Sequence, residues 1–282
     1  RVLFRSLNSN NSNYVSLPTT GFQVLQSYTI ETWVRPDNNS NGALWEGSVS
    51  MSDPSLEGCA GGLTFWIHDN QNISTGPLTL GQWYHVACVY NDASDSMYLY
   101  LNGTLKGAEQ VVATAGLGSN FYLGSRLGSI YFFSGGVDEF RIWNVARTQE
   151  QIQSAMYSSV ATNSAGLVAY LPFDEGTGSS TVNRVNNTNA TLYNNPNWIT
   201  PSTSPAQNFA AYQWSTNEYT NQISVNSSGT YTVTVVNTLG CSSTSMRQWQ
   251  RQKSNGRCWS SFFSLVFFVV LQFILAVYFV FV

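Results

Sequence analysis

Apolar and polar residues alternate along most of the chain with a period of two, the signature of half-buried β-strands. In residues 27–37 (SYTIETWVRPD) the alternation puts Ile30, Thr32 and Val34 on one face and Glu31 and Trp33 on the other. Pro36 and the 38–42 stretch end that strand. Residues 14–17 form a shorter strand upstream, and residues 63–68 one downstream, after a polar, Gly-rich stretch that runs to about Gly62. Residues 81–90 and 96–101 are two strands joined through 91–95, and the Asn102-Gly103 turn folds residues 104–106 back as another. Met97, Leu99 and Leu101 share one face, with Tyr98 and Tyr100 on the opposite one, so large side chains occupy both faces as in a layered sandwich. Residues 121–124, 136–143 and 167–173 complete the strong strands.

One segment has helical spacing. Thr148 and Gln151 stand at capping-box distance, and Ile152, Ala155 and Met156 fall at i, i+3 and i+4. Many strands with one short helix and no βαβ alternation predict an all-β, antiparallel β-sandwich over the first two-thirds of the chain.

Composition agrees. Of the 282 residues 43% are apolar and 14% aromatic, enough for a real core, while only 10% are charged. Surface helices of a bundle need far more Glu, Lys and Arg than that. The net charge of −3, with no basic face before residue 247, sets nucleic acid aside as a partner. Cys59, Cys88, Cys241 and Cys258 have no CxxC spacing and His68 and His85 are far apart in sequence, which argues against a structural zinc. Cys88, within an apolar strand, reads as a buried free thiol. The chain begins at Arg1 rather than Met and reads as a fragment.

Three ordered stretches resemble the laminin-G-like, concanavalin A-like jelly-roll domains: residues 27–36 (SYTIETWVRP), 81–103 (GQWYHVACVY…MYLYLNG) and 136–147 (GVDEFRIWNVAR). Residues 167–178 (LVAYLPFDEGTG) with 183–192 resemble an element that opens the domain in many relatives but here follows the helix. The resemblance covers residues 1–200, with 165–200 as a closing element, and implies a concanavalin A-like jelly roll. It also implies a calcium ion, with Asp138 and Asn183 as the positions to hold it, although Asn183 stands where the family more often has Asp. Residues 207–246 are similar to part of the immunoglobulin-like or PKD-like β modules appended to secreted bacterial surface proteins as spacers. There Asn237 replaces the usual Asp, and the opening strands are not evident.

An enzyme on this scaffold would most resemble the β-glucanases, whose Glu-x-Asp-x-x-Glu strand aligns carboxylates about 5 Å apart. No set of acidic residues in this chain has that spacing. Asp138-Glu139 and Asp174-Glu175 are adjacent pairs, expected to point to opposite faces if they lie in strands. His85 alternates within an apolar strand and reads as a core histidine, and there is no G-x-S-x-G. The chain is therefore read as non-catalytic. Trp33 and Trp83 lie inside the family motifs and read as core. Trp45 and Tyr131, on loops, are the candidates for a ligand rim, where an aromatic ring can stack on a sugar. The Asn-x-Ser/Thr sequons are ascribed to composition.

Residues 262–282 carry no charge and are long enough to cross a ~30 Å hydrocarbon core as a helix. Within the hydrophobic tail 258–282 two readings stand: a membrane anchor, or a non-native tail after the reading frame is lost near Met246. Arg247, Arg251, Lys253 and Arg257 precede the span and nothing follows it, which would place the preceding domains in the cytoplasm, whereas both resemblances imply export. Three functions follow: a glycan- or adhesion-type binding module of an exported cell-surface protein, with a glycan or an extracellular protein as ligand; an accessory domain of a secreted polysaccharide-degrading enzyme; or a structural surface protein without a small ligand.

Overall fold

The structure is a computed structural model and describes residues 4–18, 26–39, 41–47, 54–59, 61–67, 71–111, 120–199, 211–216, 227–236, 242–249, 266–270 and 274–278. The chain divides into two compact units, Arg1–Asn208 and Phe209–Val282. The first unit opens with β1 (Phe4–Leu7), β2 (Tyr14–Pro18), β3 (Tyr28–Pro36), β4 (Gly42–Glu46), β5 (Ser55–Cys59), β6 (Gly62–Ile67), β7 (Gln71–Ser74) and β8 (Tyr84–Asn91). It continues with β9 (Ser96–Leu101), β10 (Thr104–Gln110), β11 (Asn120–Leu123), β12 (Gly135–Trp143) and α1 (Gln149–Ala155). The last four strands are β13 (Leu167–Leu171), β14 (Ser180–Val182), β15 (Asn189–Tyr193) and β16 (Asn197–Ile199).

Two eight-stranded antiparallel sheets result. The first runs β10-β9-β8-β3-β12-β1-β16, with β13 also on β12; the second runs β14-β15-β2-β11-β4-β5-β6-β7. Residues of both sheets form one core, among them Ile30, Val34, Cys88, Phe140 and Ile142 from the first and Val15, Leu17, Trp45, Phe65 and Phe121 from the second. The Phe121 and Phe140 rings meet across the sandwich at 5.5 Å. This is the predicted jelly-roll architecture, and Cys88 is the buried free thiol expected of its strand.

The closing element contributes to both layers. β13 pairs with β12, β15 with β2, and β16 with β1, so residues 167–199 supply strands to each sheet. The helix also forms as predicted. Gln151 donates its N–H to the Thr148 hydroxyl (3.3 Å) and Thr148 donates its own to the Gln151 side chain (2.9 Å), closing the capping box. Ile152 packs with Ala87, Val89 and Tyr100 on the outer face of the first sheet. That is why β3 is buried on both faces: Ile30 and Val34 enter the core, while Trp33 donates its indole N–H to the Met156 carbonyl (2.7 Å) beneath the helix.

Two expectations are corrected. The stretch before Gly62 is not loop throughout, because β4 and β5 form a pair there; Ala43, Leu44 and Trp45 are all fully buried, so no period-two pattern marks the strand. Nor do Asp138 and Glu139 point to opposite faces. A bulge interrupts the β3–β12 ladder after Asp138, and Glu139 takes a left-handed φ of 54°. Val137 and Phe140 both enter the core, so the two acidic residues between them share the outer face.

In the second unit β17 (Ala211–Trp214), β18 (Gly229–Val236) and β19 (Ser242–Trp249) form a three-stranded antiparallel sheet, with Trp214 paired to Val233 and both buried. Within residues 262–282, β20 (Val266–Val270) and β21 (Ile274–Tyr278) pair antiparallel. Among the described residues no helix is long and apolar enough to cross a membrane. Position 237 and most of the hydrophobic tail lie outside the described residues.

Candidate functional site

Most of the buried acid–base side chains gather on the outer face of the first sheet, under α1. Glu31 of β3 accepts from the Trp143 indole (2.9 Å) and from Arg147 (2.8 Å), and Arg141 stands 3.5 Å away. Arg141 donates to Glu139 at 2.6 Å and to the carbonyls of Ala155 and Ser158, at 2.9 and 2.6 Å. Tyr170 adds its hydroxyl to the same Glu139 oxygen at 2.8 Å. His85 Nε2 lies 3.7 Å from Glu31, and its Nδ1 has no hydrogen-bond partner among the described residues. Burial would raise the Glu31 carboxyl, but Arg141, Arg147, His85 and the Trp143 N–H outweigh it and hold it below the usual range. Burial, with the two guanidinium groups, drives the His85 pKa down to about 4 against the pull of Glu31. Glu31, His85, Glu139 and Arg141 are all at most 2% exposed. A substrate cannot reach them; their arrangement ties the helix and the turn after it to the sheet.

The outer face of the second sheet carries a group of tyrosines. Position pairing places Tyr193 of β15 beside Tyr14 of β2, and Tyr122 of β11 beside Glu46 of β4. The Tyr14 and Tyr193 rings stack at 4.5 Å, 5° from parallel, while Tyr122 meets Tyr14 edge-on at 6.0 Å. Phe132 lies 6.3 Å from Tyr14. Burial and the neighbouring Tyr193 and Tyr122 hydroxyls raise the Tyr14 pKa, so the phenols lie within one another's field. Tyr193 is 41% exposed. Ahead of β14, an added Cβ at Gly178 would meet nothing within 4 Å.

The loop over residues 124–133 is fastened to this face by one buried carboxylate. Glu46 accepts the Leu127 N–H (2.5 Å) and the Arg126 guanidinium (3.2 Å), and Arg126 reaches on to Glu57 at 3.2 Å. Burial raises the Glu46 pKa against these donors, and Glu57 adds to the rise. Arg126 also accepts from Ser129 and Ile130 and donates its N–H to the Ile130 carbonyl, closing a tight turn that presents Ile130 and Tyr131 to solvent. The far end is held by Ala43, which donates its N–H to the Tyr131 carbonyl at 2.7 Å.

Of the residues singled out in the sequence, Tyr131 is on this loop and 54% exposed. Trp45 is corrected: it is 0% exposed, its ring against Phe65 and Phe121, because it belongs to β4 and faces the core. Trp33 is buried as expected, and Trp83 is partly buried with Arg35 over its ring at 5.5 Å. Asp138 is 1% exposed and accepts the Glu139 N–H at 3.1 Å. The Asn183 carboxamide oxygen accepts from the amides of Tyr170 (3.0 Å) and Val185 (3.1 Å), which makes it a brace for the turn before β15. Among the described residues no group of three or more His, Cys, Asp or Glu side chains could hold a metal ion. Tyr14, Tyr122 and Tyr193 escaped sequence reading. Their signal is parity alone: Tyr14 alternates with the inward Val15 and Leu17, and Tyr122 stands between the inward Phe121 and Leu123.

The same architecture occurs in known structures. A candidate carbohydrate binding protein from Bacteroides ovatus ATCC 8483 aligns with a TM-score of 0.59 at 22% identity over 71% of this chain. The alignment spans 60% of that protein's length. The heptameric SAP-like pentraxin from Limulus polyphemus gives a TM-score of 0.47 at 14% identity, covering 71% of this chain and 94% of that one. Domain 4 of AbnA, a GH43 extracellular arabinanase from Geobacillus stearothermophilus solved with arabinotriose, gives 0.40 at 21% identity, covering 49% and 69%. No curated protein matches the chain. Residues 9–153 match the laminin-G family of the concanavalin A-like lectin/glucanases superfamily, over half of the chain and including strands of both sheets, and the chain belongs to that family.

Proposed function

We propose that the first unit is a non-catalytic carbohydrate-binding module, with the outer face of its second sheet as the ligand surface. The observation that carries this reading is the cluster of Tyr14, Tyr122, Phe132 and Tyr193 beside the 124–133 loop, with Tyr193 41% exposed and the other three rings partly buried. Aromatic rings supply flat apolar area for the C–H face of a sugar, and phenol hydroxyls supply donors and acceptors for its hydroxyls. Consecutive strands lie about 4.8 Å apart, so Tyr193, Tyr14 and Tyr122 span roughly 10 Å, the reach of a short oligosaccharide. The carbohydrate-binding description of the Bacteroides ovatus protein accords with this reading. The burial of Glu31, His85 and Glu139 supports the non-catalytic part.

The reading extends to an exported surface protein, supported by the resemblance of residues 207–246 to spacer modules of secreted proteins. A glycan array followed by calorimetric titration of the best binder tests the function. Tyr193→Ala and Tyr14→Ala are expected to weaken binding about tenfold each, equivalent to ~1.4 kcal/mol. Unchanged affinity in both variants would remove the surface from consideration.

A further inference from the structure

From the charge layout of the same face, and resting on the proposed function, we infer that its ligands are neutral glycans and that carboxylated or sulfated ones are rejected. The eight strands of the second sheet contain no Lys, Arg or His and two carboxylates, Glu46 and Glu57. Pairing of Glu46 with Tyr122 sets the first carboxylate directly beside the aromatic cluster.

Among the described residues one cation, Arg126 of the loop, reaches this pair and is engaged by both carboxylates. Arg126 contacts Glu46 at 3.2 Å and Glu57 at 3.2 Å, and its side chain is 18% exposed. Three charges in that group sum to −1. An anionic sugar depends on a guanidinium free to meet it as a bidentate donor. Arg126 could turn to such a ligand only by leaving two carboxylates, one of them fully buried, without their partner. Arg184, just after β14, faces Glu175 at 3.8 Å. A neutral sugar meets none of this opposition and needs only rings and hydroxyls, which the tyrosines provide.

The experiment compares matched pairs on an array: neutral gluco-, galacto-, xylo- and arabino-oligosaccharides against the same backbones bearing a uronate, sialate or sulfate. The full chain, Glu57→Gln and Tyr193→Ala are run at low and physiological salt. The expected result is binding to at least one neutral series, lost in Tyr193→Ala, with its acidic counterpart at least tenfold weaker. Glu57→Gln, which brings the group to zero charge, should narrow that gap, as should added salt. Acidic glycans bound as well as or better than their neutral partners would overturn the inference and leave the proposed function standing. Binding to no glycan would overturn both.

Discussion

Trp143 donates its indole N–H to Glu31 at 2.9 Å, joining residues 112 positions apart on the covered face of the first sheet. The contact shows what the family-typical stretches around Glu31 and Trp143 do in this chain. Arg147 lies over the Trp143 ring at 4.0 Å and bonds the same Glu31 oxygen. The helix is thereby fixed to the sheet by a buried network.

Acid should weaken the fold through His85. Its pKa is about 4 in the folded chain and about 6.5 unfolded, so below 6.5 the unfolded chain takes up a proton that the folded one refuses. Stability therefore falls between pH 6.5 and about 4, by on the order of 3 kcal/mol. Glu31, with its lowered pKa, holds its contribution above the unfolded carboxyl value and loses it below, in the same direction. Urea unfolding at several pH values should show a flatter profile for His85→Gln; equal slopes would remove His85 from the account.

Arg141→Met keeps the bulk but takes the guanidinium away from Glu139 and leaves Glu31 with one guanidinium fewer. The expected loss is about 3–5 kcal/mol, the cost of an uncompensated buried charge. Adding Glu139→Gln should recover part of it, and the double-mutant cycle measures the coupling. Strict additivity would contradict a direct link.

Gly42→Ala tests the loop that carries Tyr131. A Cβ there would sit 2.5 Å from the Phe132 carbonyl oxygen and 2.6 Å from the Phe133 Cα, both backbone atoms that cannot swing aside. A loss of roughly 1–3 kcal/mol is expected, together with weaker glycan binding. Gly61→Ala, with nothing within 4 Å of the new Cβ, should change stability by less than about 0.5 kcal/mol.

Asn183→Ala removes the oxygen that takes two backbone amides. Melting temperature should fall, with stability lower by about 1–3 kcal/mol, equally in calcium and in chelator. A melting temperature that rises with calcium in the parent and not in the variant would instead support a metal held at Asn183.

The fold was legible because the strands around Trp33, Cys88 and Ile142 alternate cleanly and Thr148 announces the helix. Trp45 misled because β4 is buried along its whole length, so a central strand flanked by glycines and polar residues looked like loop. Asp138 and Glu139 misled because a bulge suspends the period-two rule locally. The tyrosine surface was hidden for a third reason. Tyr14, Tyr122 and Tyr193 come from three separate segments, and only cross-strand register brings them together.

The pairing of β1 with β16 matches Phe4 with Ile199, nearly the full length of the first unit apart. During synthesis the opening strand waits with one edge unsatisfied until almost two hundred residues have emerged. Such long-range closure is slow, and a chain stopped at the end of α1 would display the bare edges of β1 and β2, both open to pairing with a neighbouring molecule. Completion of this sandwich thus waits on its last short strand.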